Sequence, residues 1–392
     1  MRILFLCEGN AESWNCWSGT AKSIVDYLRI AGHTVHAGDV DLYGADRWAA
    51  AAATASLDRR RWATRYHLTE IPFQLRSRQA RRHISGMRGR IDLILQIGST
   101  FDSRTPEGPP YCVCSDSNIR VAEEGSSTGF SDAAPLTRGE LAAIGQREAA
   151  VYRGAAALFP LSERLRRSFI EDFGIPAGRI KAIYAGPNFD PGSVEAAAPS
   201  VRRDVSPTIL FVGRQFHRKG GDVLVESFRR VRRQLRDARL VIAGQPIGSV
   251  DGAGITCLGD LDKNSPDGRA ALAAAYAEAD VFALPTRFEP FGVAFVEAMH
   301  FGLPCIGPRA WAVPEIITEG ETGFTVPVDD VEMLADRLLW LLSDRAMARR
   351  MGEAAQRRAR DLFTWPLVVE RMLELMTPLV EAEERRTCLL AG

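Results

Sequence analysis

The chain of 392 residues is too long for one ordinary hydrophobic core and suits two domains. Its composition, 46% hydrophobic and 25% charged, is that of a globular protein, and its formal net charge of zero argues against a nucleic-acid-binding protein. The start, MRILFLCEGN, lacks a secretory signal, and no apolar run reaches the ~18 residues of a membrane span. These features predict a soluble, cytoplasmic protein that at most attaches to a membrane surface.

The seven cysteines have no regular spacing, which is typical of reduced thiols in a cytosolic protein. Cys112 and Cys114 are one residue apart, so alternation along a strand would put them on the same face. A metal site would need two further good ligands nearby, and the sequence offers none. Buried thiols are therefore the favoured interpretation.

The first half of the chain begins as a strand–loop–helix–strand unit. The hydrophobic pattern predicts a buried strand at 2–7, a loop at 8–18, a helix at 19–31 and a strand from residue 34. Residues 45–90 and 136–154 have helical patterns. Further strands are predicted at 92–96, 111–114, 157–159 and 180–184.

The same order of elements begins again after a segment that contains Pro, Gly and Ser. Strands are predicted at 208–212, 240–243, 281–284 and 305–306, with helices at 222–236, 268–279 and 365–384. Alternating strands and helices indicate parallel sheets covered by helices, so the fold class is α/β, with two Rossmann-like domains facing one another across a cleft. The predicted divisions are a domain at 1–190, a linker at 191–206, a domain at 207–364, and a helix at 365–392 that packs back toward the first domain.

Ligands of such folds bind where strands end and helices begin, and the stretch FEPFGVAFVEAMHFGLP lies at such a place. A helix that begins at Gly292 or Val293 would present free amides to an anion. Glu289 and Glu297 beside an anion site would be unfavourable unless each carboxylate bound hydroxyl groups. A nucleotide diphosphate sugar, which has sugars on both sides of its phosphates, meets that need. The alternative is that Glu289 is a first-turn charge and Glu297 a solvated helix residue.

A basic loop follows the first strand of the second half, in FVGRQFHRKGGD. After Gly213, Arg214 offers a forked donor and Lys219 a mobile point charge, which suits a diphosphate. Lys219 is one of only four lysines in this arginine-rich chain. The alternative is a basic surface loop.

Together these segments resemble the glycosyltransferases of family 4, which are retaining enzymes of the GT-B fold. The resemblance rests on E-x7-E in EPFGVAFVE and on VGRQFHRKGG, GLPCIGPRAWAVPEII, EGETGFTVPVDD and FGIPAGRIKAIYAGPNFD. It extends from about residue 159 to residue 376, and the first 150 residues match only loosely.

The resemblance implies a role for each matching residue. Arg214 and Lys219 would bind the diphosphate, Glu297 the ribose and Glu289 the donor sugar. The backbone of Phe291, Gly292 and Val293 would lie along the donor, and the turn after residues 258–259 would border the base.

In the first domain the resemblance is less complete. The family carries a Gly-Gly pair after its first strand, and here only Gly19 is present, followed by Thr20. Their amides would approach the diphosphate. The family often has a histidine where YCVCSDSNIR places Asp116, which is interpreted either as a catalytic residue or as a strand-end cap.

The sequence thus predicts a retaining glycosyltransferase that moves a sugar from a nucleotide diphosphate sugar to a glycan, a lipid-linked acceptor or a small molecule. Front-face displacement would need no cofactor and no metal, and the D-x-D at 39–41 lies away from the basic loop. The alternatives are a nucleotide-sugar-binding protein without transferase activity and a GT-B epimerase. A phosphorylase would need a lysine for pyridoxal phosphate, for which four lysines leave few candidates.

Residues 58–90 carry ten arginines and only two acids, with three aromatic residues among them. One interpretation is a functional surface that contacts an anionic membrane, as a peripheral contact, or binds a phosphorylated acceptor. The alternative is a solvated helix face.

Overall fold

The computed structural model describes residues 1–106, 108–189, 206–244, 250 and 252–391. The predicted linker at 191–206 lies outside the described residues except for Ser206. The chain divides into two compact units, the first made of Met1–Tyr184 and Trp365–Gly392, the second of Ala185–Thr364.

The first unit contains a five-stranded parallel sheet in the order β2-β1-β3-β4-β5. Its strands are β1 (Arg2–Cys7), β2 (Thr34–Asp39), β3 (Leu93–Ile97), β4 (Tyr111–Ser115) and β5 (Ala157–Pro160). Every residue of β3, β4 and β5 is buried, as expected for parallel strands covered by helices on both faces. The short apolar runs that predicted these strands are explained by this burial.

Eight α-helices belong to this unit in its described residues. They are α1 (Thr20–Ile30), α2 (Gly44–Ala53), α3 (Arg59–Leu68), α4 (Glu70–Gly86), α5 (Ile119–Glu124), α6 (Arg138–Gly154), α7 (Glu163–Glu171) and α14 (Trp365–Ala391). Good N-caps start several of them: Thr137 and Glu140 form a reciprocal capping box at α6. The helical patterns at 45–90 and 136–154 are confirmed.

The strand predicted at 180–184 is wrong. Ile180 forms a single bridge with Leu158, and hydrogen bonds join Lys181 N to Leu158 O at 3.0 Å and Ile183 N to Pro160 O at 2.9 Å. Tyr184 then adopts a left-handed conformation, with φ of 60°, which ends the extended path beside β5.

The second unit contains a six-stranded parallel sheet in the order β11-β10-β9-β6-β7-β8. Its strands are β6 (Thr208–Val212), β7 (Arg239–Ala243), β8 (Ile255–Gly259), β9 (Val281–Ala283), β10 (Cys305–Pro308) and β11 (Gly323–Val326). The sequence did not predict β8 or β11. β8 is an edge strand with mostly exposed side chains, so it lacks the apolar run that marks the central strands.

Helices cover this second sheet. In the described residues they are α8 (Gly221–Gln234), α9 (Pro266–Ala277), α10 (Val293–His300), α11 (Val313–Ile316), α12 (Val331–Ser343) and α13 (Arg345–Leu362). The prediction of two Rossmann-like domains with parallel sheets is confirmed. The loops that follow β6, β8 and β9 all lie at the carboxyl edge of this sheet, where a ligand site is expected.

Helix α14 follows the second unit in sequence but belongs to the first. Lys181 Nζ contacts Glu374 Oε2 at 2.5 Å, and Arg371 Nη1 donates to Ile183 O at 3.0 Å. Val368, Met372 and Met376 are buried along the helix. The chain therefore passes out of the first unit and returns to it at its end.

Candidate functional site

Two loops at the carboxyl edge of the second sheet contact each other closely. We call residues 213–220, between β6 and α8, the basic loop, and residues 284–292, between β9 and α10, the carboxylate loop. Arg287 N donates to Arg218 O at 2.9 Å and Arg218 Nη1 donates to Phe288 O at 2.7 Å. Gly220 has φ of 72°, and a Cβ there would lie 2.0 Å from Pro285 O. Only glycine permits this approach.

Lys219 and Glu289 form an ion pair between these loops. Lys219 Nζ contacts Glu289 Oε2, and the two side chains are only 15% and 8% exposed. Burying two charges is tolerable because each neutralises the other. A Cβ on Gly213 would lie 2.9 Å from Lys219 Cγ, so this glycine makes room for the lysine stem. The pair places a cation beside a carboxylate at the sheet edge.

Glu297 lies in helix α10 and is 1% exposed. Its Oε1 accepts from Lys263 Nζ at 2.9 Å, and its Oε2 accepts from Tyr276 OH at 2.9 Å. Burial and the neighbouring Glu297 charge raise the pKa of Tyr276 well above its ordinary value, so the phenol stays a donor. The interpretation of Glu297 as a solvated helix residue is excluded, because its carboxylate is buried. Glu289, which was alternatively a first-turn charge, is also buried and lies in the loop before the N-cap of α10.

Helix α10 begins between these two carboxylates. Gly292 is its N-cap, with φ of 104°, and Val293 is its first residue, so the predicted start is confirmed. A Cβ on Gly292 would lie 2.8 Å from Phe295 Cδ2, which leaves glycine as the residue that fits. Phe291 is buried beside it. The first-turn amides and the helix dipole favour an anion here.

Arg214 is more exposed than Lys219. Its Nε donates to Asp260 Oδ1 at 2.9 Å, and its side chain is 54% exposed. Asp260 follows β8, so Arg214 connects the basic loop to the loop that also carries Lys263. The guanidinium lies at the same edge of the sheet as the Lys219–Glu289 pair.

Sequence reasoning missed Arg287, a further cation that joins the basic and carboxylate loops, together with Arg218 and Lys219. Its guanidinium donates to both oxygens of Asp222, at 2.8 and 2.9 Å, and to Asp329 Oδ1 at 2.6 Å. Burial disfavours charge on Asp222, but the hydrogen bonds and charge of Arg287 outweigh burial and hold the pKa of Asp222 below its ordinary value. No local pattern marks Arg287, because its partners are distant in sequence.

Lys263 and Tyr276, the partners of Glu297, were also missed as site residues. Lys263 carried one weak signal, since lysine is rare in this chain. Tyr276 carried none, because an aromatic residue in a helix most often belongs to the core.

The first unit holds the other predicted site residues. Trp17, Ser18 and Gly19 have φ of 49°, 56° and 98° in succession, and Thr20 then begins α1. Left-handed conformations at two non-glycine residues are strained and occur often at functional sites. Asp116 directly follows β4 and is half-buried, at the carboxyl edge of the first sheet.

Two further carboxylates of the first unit escaped sequence analysis. Glu8 follows β1 and contacts the Nε of the fully buried Arg76 at 2.8 Å. Burial opposes its charge, but His67 and Arg76 outweigh burial and lower the pKa of Glu8. Glu148 in α6 accepts from Ser99 Oγ and Ile119 N, both at 2.9 Å, and burial raises its pKa to about 7.

Metal-ligand side chains are not clustered in the part of the chain that the structure describes: it holds no group of three or more His, Cys, Asp or Glu arranged for a metal ion. Asp39, in the D-x-D at 39–41, accepts from Gly9 N at 2.8 Å and from Tyr43 OH at 2.6 Å, within the first unit. Of the described helices, none is both long and apolar enough to cross a membrane.

Known proteins resemble this chain in sequence and in fold. Residues 195–358 match the family model of glycosyl transferases group 1. The D-inositol 3-phosphate glycosyltransferase of Corynebacterium efficiens is 30% identical over 225 residues, which are 52% of this chain and 52% of that protein. The GDP-mannose-dependent alpha-(1-6)-phosphatidylinositol monomannoside mannosyltransferase of Mycobacterium tuberculosis is 28% identical over 66% of this chain and 69% of its own length.

The match therefore spans about half of the first of these relatives and about two thirds of the second. Among solved structures, sucrose-phosphate synthase from Thermosynechococcus elongatus superposes with a TM-score of 0.68 at 19% identity, over 97% of this chain and 100% of that one. Residues 195–358 thus match the group 1 glycosyl transferases, and the chain has the GT-B fold.

Proposed function

We propose that this protein is a retaining glycosyltransferase that moves a sugar from a nucleotide diphosphate sugar to an acceptor hydroxyl. One observation carries the proposal: Glu289 and Glu297 are both buried, each against a lysine, on either side of the N-terminus of α10. Carboxylates paired with lysines in this way can accept hydrogen bonds from hydroxyl groups, while the helix terminus between them favours a phosphate. A nucleotide diphosphate sugar has hydroxyls on both sides of its phosphates.

In the proposed complex the diphosphate contacts Lys219, Arg214 and the backbone from Phe291 to Val293. Glu289 holds the donor sugar and Glu297 the ribose. The flexible stem of Lys219 lets its ammonium contact a phosphate oxygen without leaving the neighbourhood of Glu289. The Mycobacterium tuberculosis relative is named for a GDP-mannose donor, which supports a nucleotide diphosphate sugar as the donor class.

The proposed reaction is front-face displacement. The bond between the anomeric carbon and the leaving phosphate oxygen breaks, and the acceptor oxygen bonds to the same face of the sugar. The departing phosphate oxygen takes the acceptor proton, so no protein nucleophile is needed. Arg214, Lys219 and the amides of α10 stabilise the charge that grows on the diphosphate, which is the task a metal ion performs in other phosphate-transfer sites.

For the first unit we propose acceptor binding. Asp116 follows β4 at the sheet edge and would contact the acceptor. Gly19 and Thr20, at the start of α1, would instead offer their backbone amides to the diphosphate of the donor. The proposed acceptor is a glycan, a lipid-linked acceptor or a small molecule.

A thermal-shift screen of UDP-, GDP- and ADP-sugars in the presence of EDTA tests donor binding, since a ligand of the folded state raises Tm by mass action. Release of nucleoside diphosphate that requires an acceptor, and a product with the donor's anomeric configuration by NMR, would support the proposal. Binding without release would identify a nucleotide-sugar-binding protein. An epimerised free sugar would identify an epimerase. Turnover that EDTA abolishes and manganese restores would contradict the metal-independent mechanism.

We also propose a peripheral membrane contact through residues 58–90. Trp62 and the neighbouring Trp48 and Leu57 are exposed, which suits an interfacial surface. The arginines of this segment contribute less free charge than the sequence suggests, because Arg61 and Arg65 contact Glu140 and Arg78 contacts Asp46. Co-sedimentation with anionic but not neutral vesicles would support the contact, and Trp48→Ser with Trp62→Ser should abolish it.

A further inference from the structure

The loop between β1 and α1 brings two thiols together. Cys7 is the last residue of β1 and is buried, whereas Cys16 is half-buried at the start of a 3-10 turn, Cys16–Gly19. Their Sγ atoms are 3.7 Å apart. A disulfide has an S–S length of about 2.05 Å, so the sulfurs need to approach by only about 1.7 Å.

The loop itself holds the two thiols in this arrangement. Cys7 Sγ lies 3.3 Å from Gly9 O and Cys16 Sγ lies 3.4 Å from Glu8 O, so each thiol has a backbone acceptor within reach besides its partner. Gly9 N donates to Asp39 Oδ1 at 2.8 Å, and Cys16 N donates to Ser13 O at 3.1 Å. These contacts anchor both ends of the ten-residue segment from Cys7 to Cys16.

The structure also describes the side chains of four further cysteines, Cys112, Cys114, Cys257 and Cys305. Cys112 and Cys114 lie on one strand with a residue between them, so their side chains leave the same face of the sheet. Their Cβ atoms are therefore separated by two strand rises, about 6.6 Å. That separation exceeds the Cβ–Cβ distance of about 4 Å that a disulfide requires. Cys305 is buried and Cys257 is exposed. Cys257 therefore serves as a control for simple accessibility.

We propose that Cys7 and Cys16 are a modification site at which hydroperoxides form a reversible disulfide. The thiolate of the more accessible Cys16 attacks the O–O bond of hydrogen peroxide, forming a sulfenic acid and releasing hydroxide. The Cys7 thiol then attacks the sulfenic sulfur, the S–S bond forms, and water leaves with the Cys7 proton. Two thiols are oxidised to one disulfide while one peroxide is reduced to two waters, and an added dithiol reverses the reaction by exchange.

The order of attack follows from the surroundings of each sulfur. The hydrogen bond with Cys16, burial and nearby acids raise the pKa of Cys7. The same hydrogen bond between the two sulfurs lowers the pKa of Cys16 despite its partial burial. Because the thiolate is the nucleophile, Cys16 reacts first and Cys7 resolves the intermediate. This chemistry goes beyond glycosyl transfer and does not depend on it.

The experiment uses the full-length protein, treated with hydrogen peroxide, alkylated under denaturing conditions and digested. Trypsin releases residues 3–22 as one peptide that contains both thiols, and Glu8 and Glu12 lie between them. A glutamate-specific protease then cuts after both glutamates, releases residues 9–12 and leaves residues 3–8 and 13–22 joined only by the disulfide. We expect this peptide to lose about 2 Da and to resist alkylation, and dithiothreitol to restore both alkylation sites.

Cys16→Ser and Cys7→Ala should each abolish the linked fragments, whereas Cys257→Ser should leave them unchanged. Cys16→Ser changes a half-buried residue, so it keeps the test valid if Cys7→Ala unfolds the protein. The proposal would be overturned if both Cys7 and Cys16 were still alkylated after peroxide treatment. It would also be overturned if Cys16 carried a sulfinic acid while Cys7 was still alkylated.

Discussion

Lys219 contacts Glu289 from a loop whose other strong bases, Arg214 and Arg218, are arginines. An ammonium on a flexible stem can follow the charge that grows on a leaving phosphate, and contacts that strengthen in the transition state raise turnover more than binding. We expect Lys219→Ala to lower kcat by at least ~100-fold, about 2.7 kcal/mol, with a smaller effect on donor affinity. Lys219→Arg should restore only part of the loss, as measured by steady-state kinetics.

The matched control is Lys181→Ala, because Lys181 also pairs with a glutamate, Glu374, but both side chains are substantially exposed. It should leave kcat unchanged. Near-normal turnover of Lys219→Ala would show that its ion pair is structural.

Glu297 combines a proposed ribose contact with a structural role. Glu297→Gln removes the charge opposite Lys263, so it should weaken binding of the free nucleoside diphosphate by on the order of 1–3 kcal/mol in calorimetry and also lower Tm. Tyr276→Phe removes one hydrogen bond to the same carboxylate and keeps the Lys263 ion pair. It should lower Tm with much less effect on affinity. Equal losses of affinity in the two variants would contradict the ribose assignment.

Glu148 makes the stability of the protein depend on pH. Burial raises its pKa from 4.5 to about 7, so between these pH values the folded state keeps a proton that the unfolded state has released. Stability should therefore fall as pH rises through this window, by on the order of 3 kcal/mol. Urea unfolding of the parent and of Glu148→Gln checks this, because the variant lacks the proton. If the parent and Glu148→Gln differ in unfolding free energy by the same amount at about pH 5 and about pH 8, the raised pKa of Glu148 is refuted.

At the scale of elements, sequence analysis predicted those helices and strands that short local patterns determine. The start of α10 was predictable because a glycine before an apolar helical run marks an N-cap. Strands β3 and β4 were predictable because they are buried throughout and therefore appear as apolar runs. Edge strand β8 was not predictable, because its side chains are mostly exposed and form no apolar run. The Lys263–Glu297 and Arg287–Asp222 pairs join residues 34 and 65 positions apart, so only the folded arrangement of loops determines them.

Arg287 should stabilise the basic loop as a unit, because it contacts Asp222, Asp329 and His217 O at once. Arg287→Lys keeps the charge but loses the fork that binds both oxygens of Asp222. We expect a loss of about 1–3 kcal/mol in unfolding free energy and faster hydrogen exchange of the amides at 213–220. Arg349→Lys, at an exposed pair with Glu353, is the control and should change neither. Unchanged exchange in Arg287→Lys would refute this role.

At the scale of the whole molecule, the first unit is built from two segments that are not adjacent in the sequence. The second unit is inserted between Tyr184 and Trp365 of the first. Sequence periodicity located α14, but its place beside α1 and β5 follows from its buried face and its contacts. The helix closes the first unit only after the second has been synthesised.

We therefore expect a chain that ends at Thr364 to lose the first unit while keeping the second. Val368, Val369, Met372, Met376 and Val380 are all buried on α14. Burial of such a side chain contributes roughly 1.5–3 kcal/mol, so five of them match the whole stability of a typical domain, about 5–15 kcal/mol. Hydrogen exchange should show unprotected amides in β1 to β5 and protected amides in β6 to β11. A chain that ends at Glu383 keeps all five side chains and should protect both sheets. If the chain that ends at Thr364 still protects β1 to β5, α14 is an accessory of the first unit and its apolar face contributes little to folding.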